Sequence, residues 1–332
     1  MAIKKITLVL FILLALLLAG AYFAQQQIAH YLTIPRIDKT MLFTVNAGSN
    51  FSRLGRHLNE QSIVKDLTWW KAVAKLYPEL TNIKSGTYKL PESANLEDIL
   101  KIINKGIEHQ FKITFVEGST FKDWLITLKN APALAPLQKT ETEILQQLGS
   151  VHQKMEGLLL PETYHYHAQM NAFKIIENAY LQQLQILDKL WAERAQNLPL
   201  KTPYQALILA SIIEKESALA ADRDKIASVF INRLRRGMRL QTDPTVIYGM
   251  GENYKGRIRR RDLRAETLYN TYRINGLPPT PIAMASTAAL YAALHPAKSN
   301  YLYFVSKGDG TSYFSKSLVE HNRAVQKYIL GR

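Results

Sequence analysis

Glu214 and Glu216 close an almost unbroken apolar run, Leu207-Ile208-Leu209-Ala210-Ser211-Ile212-Ile213-Glu214-Lys215-Glu216-Ser217. A carboxylate pressed against apolar surface loses solvation, which disfavours the ionised form and keeps the acid protonated nearer neutral pH. A glutamic acid in that state is a general acid, able to protonate the leaving oxygen of a glycosidic bond. Residues two apart on a helix point about 200° away from each other, so the two acids cannot face one pocket. Glu216 falls on the side of Leu209, Ile212, Ile213 and Ala220, and Glu214 on that of Leu207, Ala210, Ser211 and Ala218. The bulkier apolar face selects Glu216 as the acid with the raised pKa. It leaves Glu214 to orient a neighbour or to pair with an Arg or Lys. Salt bridges made by both acids at a helix end are the plain structural alternative.

Polar groups of the kind that read sugars follow downstream. Asn232-Arg233-Leu234 precedes Met238-Arg239-Leu240-Gln241-Thr242-Asp243-Pro244-Thr245-Val246-Ile247-Tyr248-Gly249. Tyr269-Asn270-Thr271-Tyr272 and Gly276-Leu277-Pro278-Pro279 extend the set. Amide, carboxylate and aromatic side chains suit sugar hydroxyl and N-acetyl groups, while the same Asn, Asp, Gly and Pro residues also build turns. His165 and His167 flank an aromatic residue without a third ligand at metal spacing, so neither a metal nor another cofactor is assigned.

These groups need a scaffold. At 332 residues, 47% hydrophobic and 21% charged, the chain is a globular protein with ample core material, not a disordered one. Ile6 to Ala24 carries no charge and is close to the roughly 20 residues that cross a bilayer as a helix. Lys4 and Lys5 precede it, which places the N-terminus in the cytoplasm and exports everything after Ala24. An uncleaved anchor is the expectation; a signal peptide cut near Ala19-Gly20-Ala21 is the alternative. The net charge of +15 admits nucleic acid, anionic lipid or acidic polymers as partners, and export argues against nucleic acid. Without cysteine there is neither a disulfide framework nor a Cys-linked lipid anchor.

Gln25 to Thr40 is mostly polar and reads as a juxtamembrane linker. A folded module then begins: strand Leu42 to Val45, helix Phe51 to Leu58, a second helix around Leu67 to Leu76, and a strand ending at Leu90. Asn95 to Ile103 forms a short helix stopped by Gly106. Phe43 to Phe51 aligns with Ile113 to Phe121, each spelling strand, Gly-Ser turn and helix, with Ser49 and Ser119 as expected caps. Residues 131–150 read as helical segments around a surface loop, Phe173 to Leu198 as a long amphipathic helix, and Pro203 as the start of the acid-bearing helix. From Gly237 onward, turns mix with strands such as Tyr301 to Val305. Without regular βαβ alternation the class is α+β.

Taken together, several stretches closely resemble the endolytic murein transglycosylases of the YceG-like family. They are Ile83-Lys84-Ser85-Gly86-Thr87-Tyr88, Val116-Glu117-Gly118-Ser119-Thr120, Glu156 to Tyr164, Ala210 to Ser217 and Ser228 to Leu234. Leu240 to Gly249, Tyr269 to Tyr272, Gly276 to Ile282 and His295-Pro296-Ala297-Lys298 complete the resemblance, which covers nearly the whole chain. One departure is Ile282-Ala283-Met284-Ala285-Ser286, where the family pattern reads Ile-Ala-x-Pro-Gly. The resemblance implies a cytoplasmic tail (1–5), a transmembrane helix (6–24), a linker (25–40), a small LysM-like βααβ module (41–107) and a mixed α+β catalytic domain (108–332). It implies an inner-membrane protein facing the periplasm that cuts the β-1,4 bond between N-acetylmuramic acid and N-acetylglucosamine in nascent glycan strands. The product would be a 1,6-anhydro end, the effect a limit on strand length, and the setting one near the peptidoglycan synthases. The family's catalytic Glu falls on Glu216. The motif residues expected to contact substrate are Glu162, Tyr164, Ser217, Asn232, Gln241, Asp243, Asn270 and Tyr272.

A single carboxylate suffices for that product, because the muramic C6 hydroxyl is tethered to the reacting sugar. A hydrolytic muramidase would use a second acid across the sugar, with Asp243 and Glu162 as candidates. A non-catalytic wall-binding scaffold is the alternative from another class. The run Arg257 to Arg264 reads as a solvated, salt-screened loop, with stem-peptide carboxylates or the anionic membrane as its alternative partners.

Overall fold

The structure is a computed structural model that describes residues 2–217 and 219–331. The fold is mixed α+β, with three two-stranded sheets among many helices in the described residues. The chain divides into two compact units, Met1–Phe111 and Lys112–Arg332.

The first unit opens with α1 (Ala2–Thr33). Its stretch Lys4–Thr33 is long and apolar enough to cross a membrane, and the large apolar side chains from Ile6 to Phe23 are exposed. The helix does not end where the apolar run does. Half of the expected polar linker is helical, because Ile28, Tyr31 and Leu32 recur at helical spacing and are buried in the core shared with Leu96, Ile99 and Ile103. Beyond it, β1 (Met41–Val45) and β2 (Gly86–Leu90) pair antiparallel, Met41 opposite Leu90 and Val45 opposite Gly86. Between them lie α2 (Phe51–Glu60) and α3 (Trp70–Leu76), giving the order β, α, α, β, and α4 (Leu96–Lys105) follows. Asn95 caps α4 through a reciprocal box with Asp98. Asn95→Ala removes that cap and is expected to cost about 1 kcal/mol in denaturant unfolding of the full chain.

In the second unit, β3 (Phe111–Thr114) pairs with β4 (Thr163–Tyr166). Between them come α5 (Phe121–Lys129) and α6 (Glu141–Gln147). The sequence echo is real at the level of geometry, since Gly48 and Gly118 share a left-handed φ of 72° and 73°. The expected caps are off by one. Asn50 and Thr120 accept from the first-turn amides, and Ser119 Oγ instead donates to the Val116 carbonyl and accepts from Trp124 Nε1.

The long helix α7 (Ala172–Ala192) ends six residues short of Leu198, and α8 (Pro203–Glu216) starts at Pro203 under the Thr202 cap. Every residue of α8 from Ala206 to Ile213 is buried. Around it pack α9 (Arg223–Arg235), α10 (Asp243–Met250) and α12 (Thr287–Leu294), while α11 (Arg260–Arg264) is a short exposed turn of the basic run. The C-terminal part is thus more helical than turns and strands led one to expect. Its only regular strands among the described residues are the antiparallel hairpin β5 (Tyr303–Ser306) and β6 (Ser312–Ser315), against which α13 (Leu318–Tyr328) packs.

The departure Met284-Ala285-Ser286 is an ordered part of this core. Met284 exchanges backbone hydrogen bonds with the Gly118-Ser119 turn (2.7 and 2.8 Å), and Ile282 N donates to Ser211 Oγ at 3.0 Å. Gly157, at φ 77°, lies so close beneath Pro281 that a Cβ would come within 2.5 Å of the ring.

Candidate active site

Glu216 is the last residue of α8, and Ser217 caps the helix end. The two acids separate as helical geometry requires, although the helix stops before Ala220, which belongs to a short 3₁₀ turn, and Ala218 lies outside the described residues.

Glu216 lines a cleft of about 380 Å³ together with Arg233, Gln241, Thr242, Asp243, Tyr272, Tyr303 and His321, over an apolar wall of Phe230, Leu240, Phe304 and Leu318. Burial is the main cause that pushes its carboxyl above the usual range. The neighbouring Asp243 charge adds to the rise, and a hydrogen bond from Thr242 Oγ1 to Oε1 partly offsets it. Asp243 is exposed and accepts from Tyr272 Oη at 2.7 Å. Burial first, and then that bond, raise the Tyr272 phenol. Burial and the Arg233 charge push His321 down, towards the neutral imidazole.

Glu214 is occupied elsewhere. Its Oε2 accepts from both the backbone N (2.8 Å) and the hydroxyl of Ser286, and Arg223 Nη2 lies 3.9 Å from Oε1. Ser286 in turn caps α12. The second acid therefore joins α8 to α9 and α12, away from the cleft side chains.

Of the residues read from the motifs, Gln241, Asp243 and Tyr272 line the cleft with Glu216, and Ser217 adjoins it with its hydroxyl donating to the Leu219 carbonyl at 2.9 Å. The structure places the other four outside this cleft. Asn232 donates to the Ser299 and Tyr301 carbonyls, and it faces a separate cleft of about 610 Å³ on the far side of α9. Asn270 is buried and donates to the carbonyls of Asp262, Leu263 and Ala265. Tyr164 is buried with its hydroxyl on the Leu160 carbonyl. Glu162 stands exposed at the head of β4, where its charge acts on Glu117 and Tyr164. In each case the polar atoms serve nearby backbone or lie away from the acid.

Arg233, Thr242, Tyr303 and His321 join the site without having been singled out. Arg233 and Thr242 lay inside recognised motifs, but their direction depends on α9 and on the chain reversal at Gln241; His321 arrives on α13.

The YceG-like family model matches residues 43–327. An endolytic murein transglycosylase of Bacillus subtilis is 32% identical over 319 residues, covering 89% of this chain and 88% of that protein. One of Streptococcus pneumoniae is 28% identical over 366 residues, covering 98% of this chain and 66% of that longer protein. Among solved structures, a protein of Listeria monocytogenes described as YceG-like superposes with a TM-score of 0.53 at 31% identity, over 86% of this chain and 98% of the other. This chain, too, belongs to the YceG-like family.

Proposed function

We propose that the protein is an endolytic lytic transglycosylase of peptidoglycan, cutting the N-acetylmuramic acid–N-acetylglucosamine β-1,4 bond with Glu216 as acid and then base. The observation that carries this reading is a glutamic acid held towards its protonated form at one wall of a polar-aromatic cleft. Protonated Glu216 gives its proton to the leaving glycosidic oxygen as the C1–O bond breaks. The resulting carboxylate then takes the proton of the muramic C6 hydroxyl while that oxygen bonds to C1. Glu216 ends as it began, no water is consumed, and the sugar's own N-acetyl group supports C1 in between. The relatives named endolytic murein transglycosylases support the same substrate.

The β, α, α, β order of the first unit suits a LysM-like glycan-binding module, and α1 suits a single-pass inner-membrane anchor with the body outside the cytoplasm. In that setting the enzyme acts on nascent strands beside the synthases and limits their length. The exposed arginines of the 257–264 run form a solvated, salt-screened loop, with stem carboxylates or anionic lipid as its alternative partners.

Asp243 supports a second reading. It shares the cleft, and its charge acts on Glu216, as the second acid of a muramidase would. Mass analysis of the ends released from purified glycan strands separates the two. Anhydro ends, one water lighter than reducing ends, are expected from the wild type and should persist in Asp243→Asn. Reducing ends that vanish in Asp243→Asn would establish the muramidase instead.

A further inference from the structure

Thr242 is the only described side chain that hydrogen-bonds the Glu216 carboxyl, and it does so on Oε1 alone. The Thr242 side chain is buried, and no other described group accepts from its hydroxyl. A buried hydroxyl without an acceptor is costly, so Thr242 donates and Oε1 accepts. The proton of the acid then belongs on Oε2.

The backbone that delivers this hydroxyl is built for the purpose. Gln241 holds φ at 52°, a left-handed conformation that side chains with a Cβ avoid. Thr271 pins it from one side: its carbonyl accepts from Gln241 N at 3.1 Å and its hydroxyl from Thr242 N at 3.0 Å. Thr245 Oγ1 donates to the Thr242 carbonyl at 2.8 Å. From the other side, Arg233 Nη1 donates to the Leu240 carbonyl at 2.8 Å and its Nε to the Leu302 carbonyl at 2.7 Å. Arg233 is buried, lies over the Tyr303 ring, and has no carboxylate partner among the described residues. A cation used to hold neutral carbonyls fixes the segment 240–242 more firmly than a neutral donor would. Strain of this kind, held by its surroundings beside a reactive group, points to a role in positioning.

We infer that Thr242 is the positioning residue that assigns the Glu216 proton to Oε2, the oxygen left for substrate, and that Arg233 holds the 240–242 segment so that it can. The inference rests on Glu216 being the acid of the proposed reaction. The Thr242 proton never transfers. Its bond to Oε1 strengthens when Glu216 becomes a carboxylate, which stabilises the state between the two proton transfers. Burial alone would leave Glu216 a reluctant donor, and Thr242 restores the balance.

The other titratable groups facing the cleft are Asp243, Tyr272, Arg233, Tyr303 and His321, with Glu214 and Lys215 on the same helix as Glu216. The test is the pH profile of kcat/KM for the full chain in detergent acting on purified glycan strands, for wild type, Thr242→Val, Thr242→Ser and Arg233→Met. Activity requires protonated Glu216 and so falls above its pKa. Removing a donor to the carboxylate raises that pKa. Thr242→Val is expected to move the alkaline limb up by about one pH unit and to lower the plateau about tenfold. Thr242→Ser restores both, and Arg233→Met moves the limb in the direction of Thr242→Val. Because the Arg233 charge also pushes His321 down, only the alkaline limb is compared for Arg233→Met. A Thr242→Val profile that only scales down, or a folded Thr242→Ser that fails to restore the limb, overturns the inference. Failure of the underlying reading looks different: Glu216→Gln would then cleave as well as wild type.

Discussion

Glu216→Gln is expected to lower strand cleavage by about 10³-fold or more while the fold is retained. General acid catalysis by one positioned group contributes about 10²–10⁴-fold, and here the same group would also serve as the base. Glutamine preserves the shape, and its carbonyl oxygen can still accept from Thr242, so the seat at the end of α8 persists. The amide, however, has no acid proton to give. Stability should move the opposite way from activity. Burial raises the Glu216 pKa in the folded protein, so the folded state holds that proton above the pH at which the unfolded chain loses it. Wild-type stability from this group is therefore present at low pH and declines as pH rises past the ordinary carboxylate range of about 4.3. The glutamine variant has no such decline, and its thermal midpoint relative to wild type should rise between pH 4 and pH 8. Cleavage within tenfold of wild type, or a variant that melts early at every pH, would remove Glu216 from the role of acid.

The two acids also show what a sequence can and cannot disclose. Helical spacing alone parts Glu214 from Glu216, because the angle between residues is a property of the helix and not of its surroundings. It also points to the acid that the structure places on the cleft. The strands and helices of the first unit are legible for the same reason: short periodic runs bounded by Asn, Gly and Pro leave little choice. What the sequence did not disclose has a different origin. Asn232 and Asn270 look like ligand-binding amides, and only the course of the backbone reveals that carbonyls of residues 299–301 and 262–265 already use their donors. Tyr164 is a similar case, its hydroxyl directed to a carbonyl four residues back. Thr242 was invisible because its significance depends on a left-handed φ at Gln241, a residue with no sequence signature for that conformation. Caps shifted from Ser49 and Ser119 to Asn50 and Thr120 because either neighbour has a side chain able to accept from the first turn.

Glu214→Ala should give the reverse of Glu216→Gln, a large loss of stability with modest loss of activity. The Glu214 side chain is 8% exposed and holds three partners from two other helices. Removing it leaves the Ser286 amide and hydroxyl without their acceptor at the start of α12. It also leaves Arg223, whose Nε already has no hydrogen-bond partner among the described residues, without its carboxylate. Breaking one side of a buried charged cluster costs about 3 kcal/mol, more than the worth of any single bond in it, because the groups left behind stay desolvated. For a unit of this size that corresponds to a fall of about 6–12 °C in Tm for the full chain. Glutamate is needed there for its two acceptor oxygens, so Glu214→Gln, which keeps one, should fall between the two. Assayed well below the lowered midpoint, cleavage by Glu214→Ala should stay within about tenfold of wild type, since the cleft, Thr242 and Glu216 are held by α10 and the 240–242 segment. An unchanged Tm with cleavage as low as in Glu216→Gln would exchange the roles of the two acids. On the proposed reading, α8 ends in two glutamates because one carboxylate must be satisfied to hold three helices together, while the other must stay under-solvated to keep a proton for transfer.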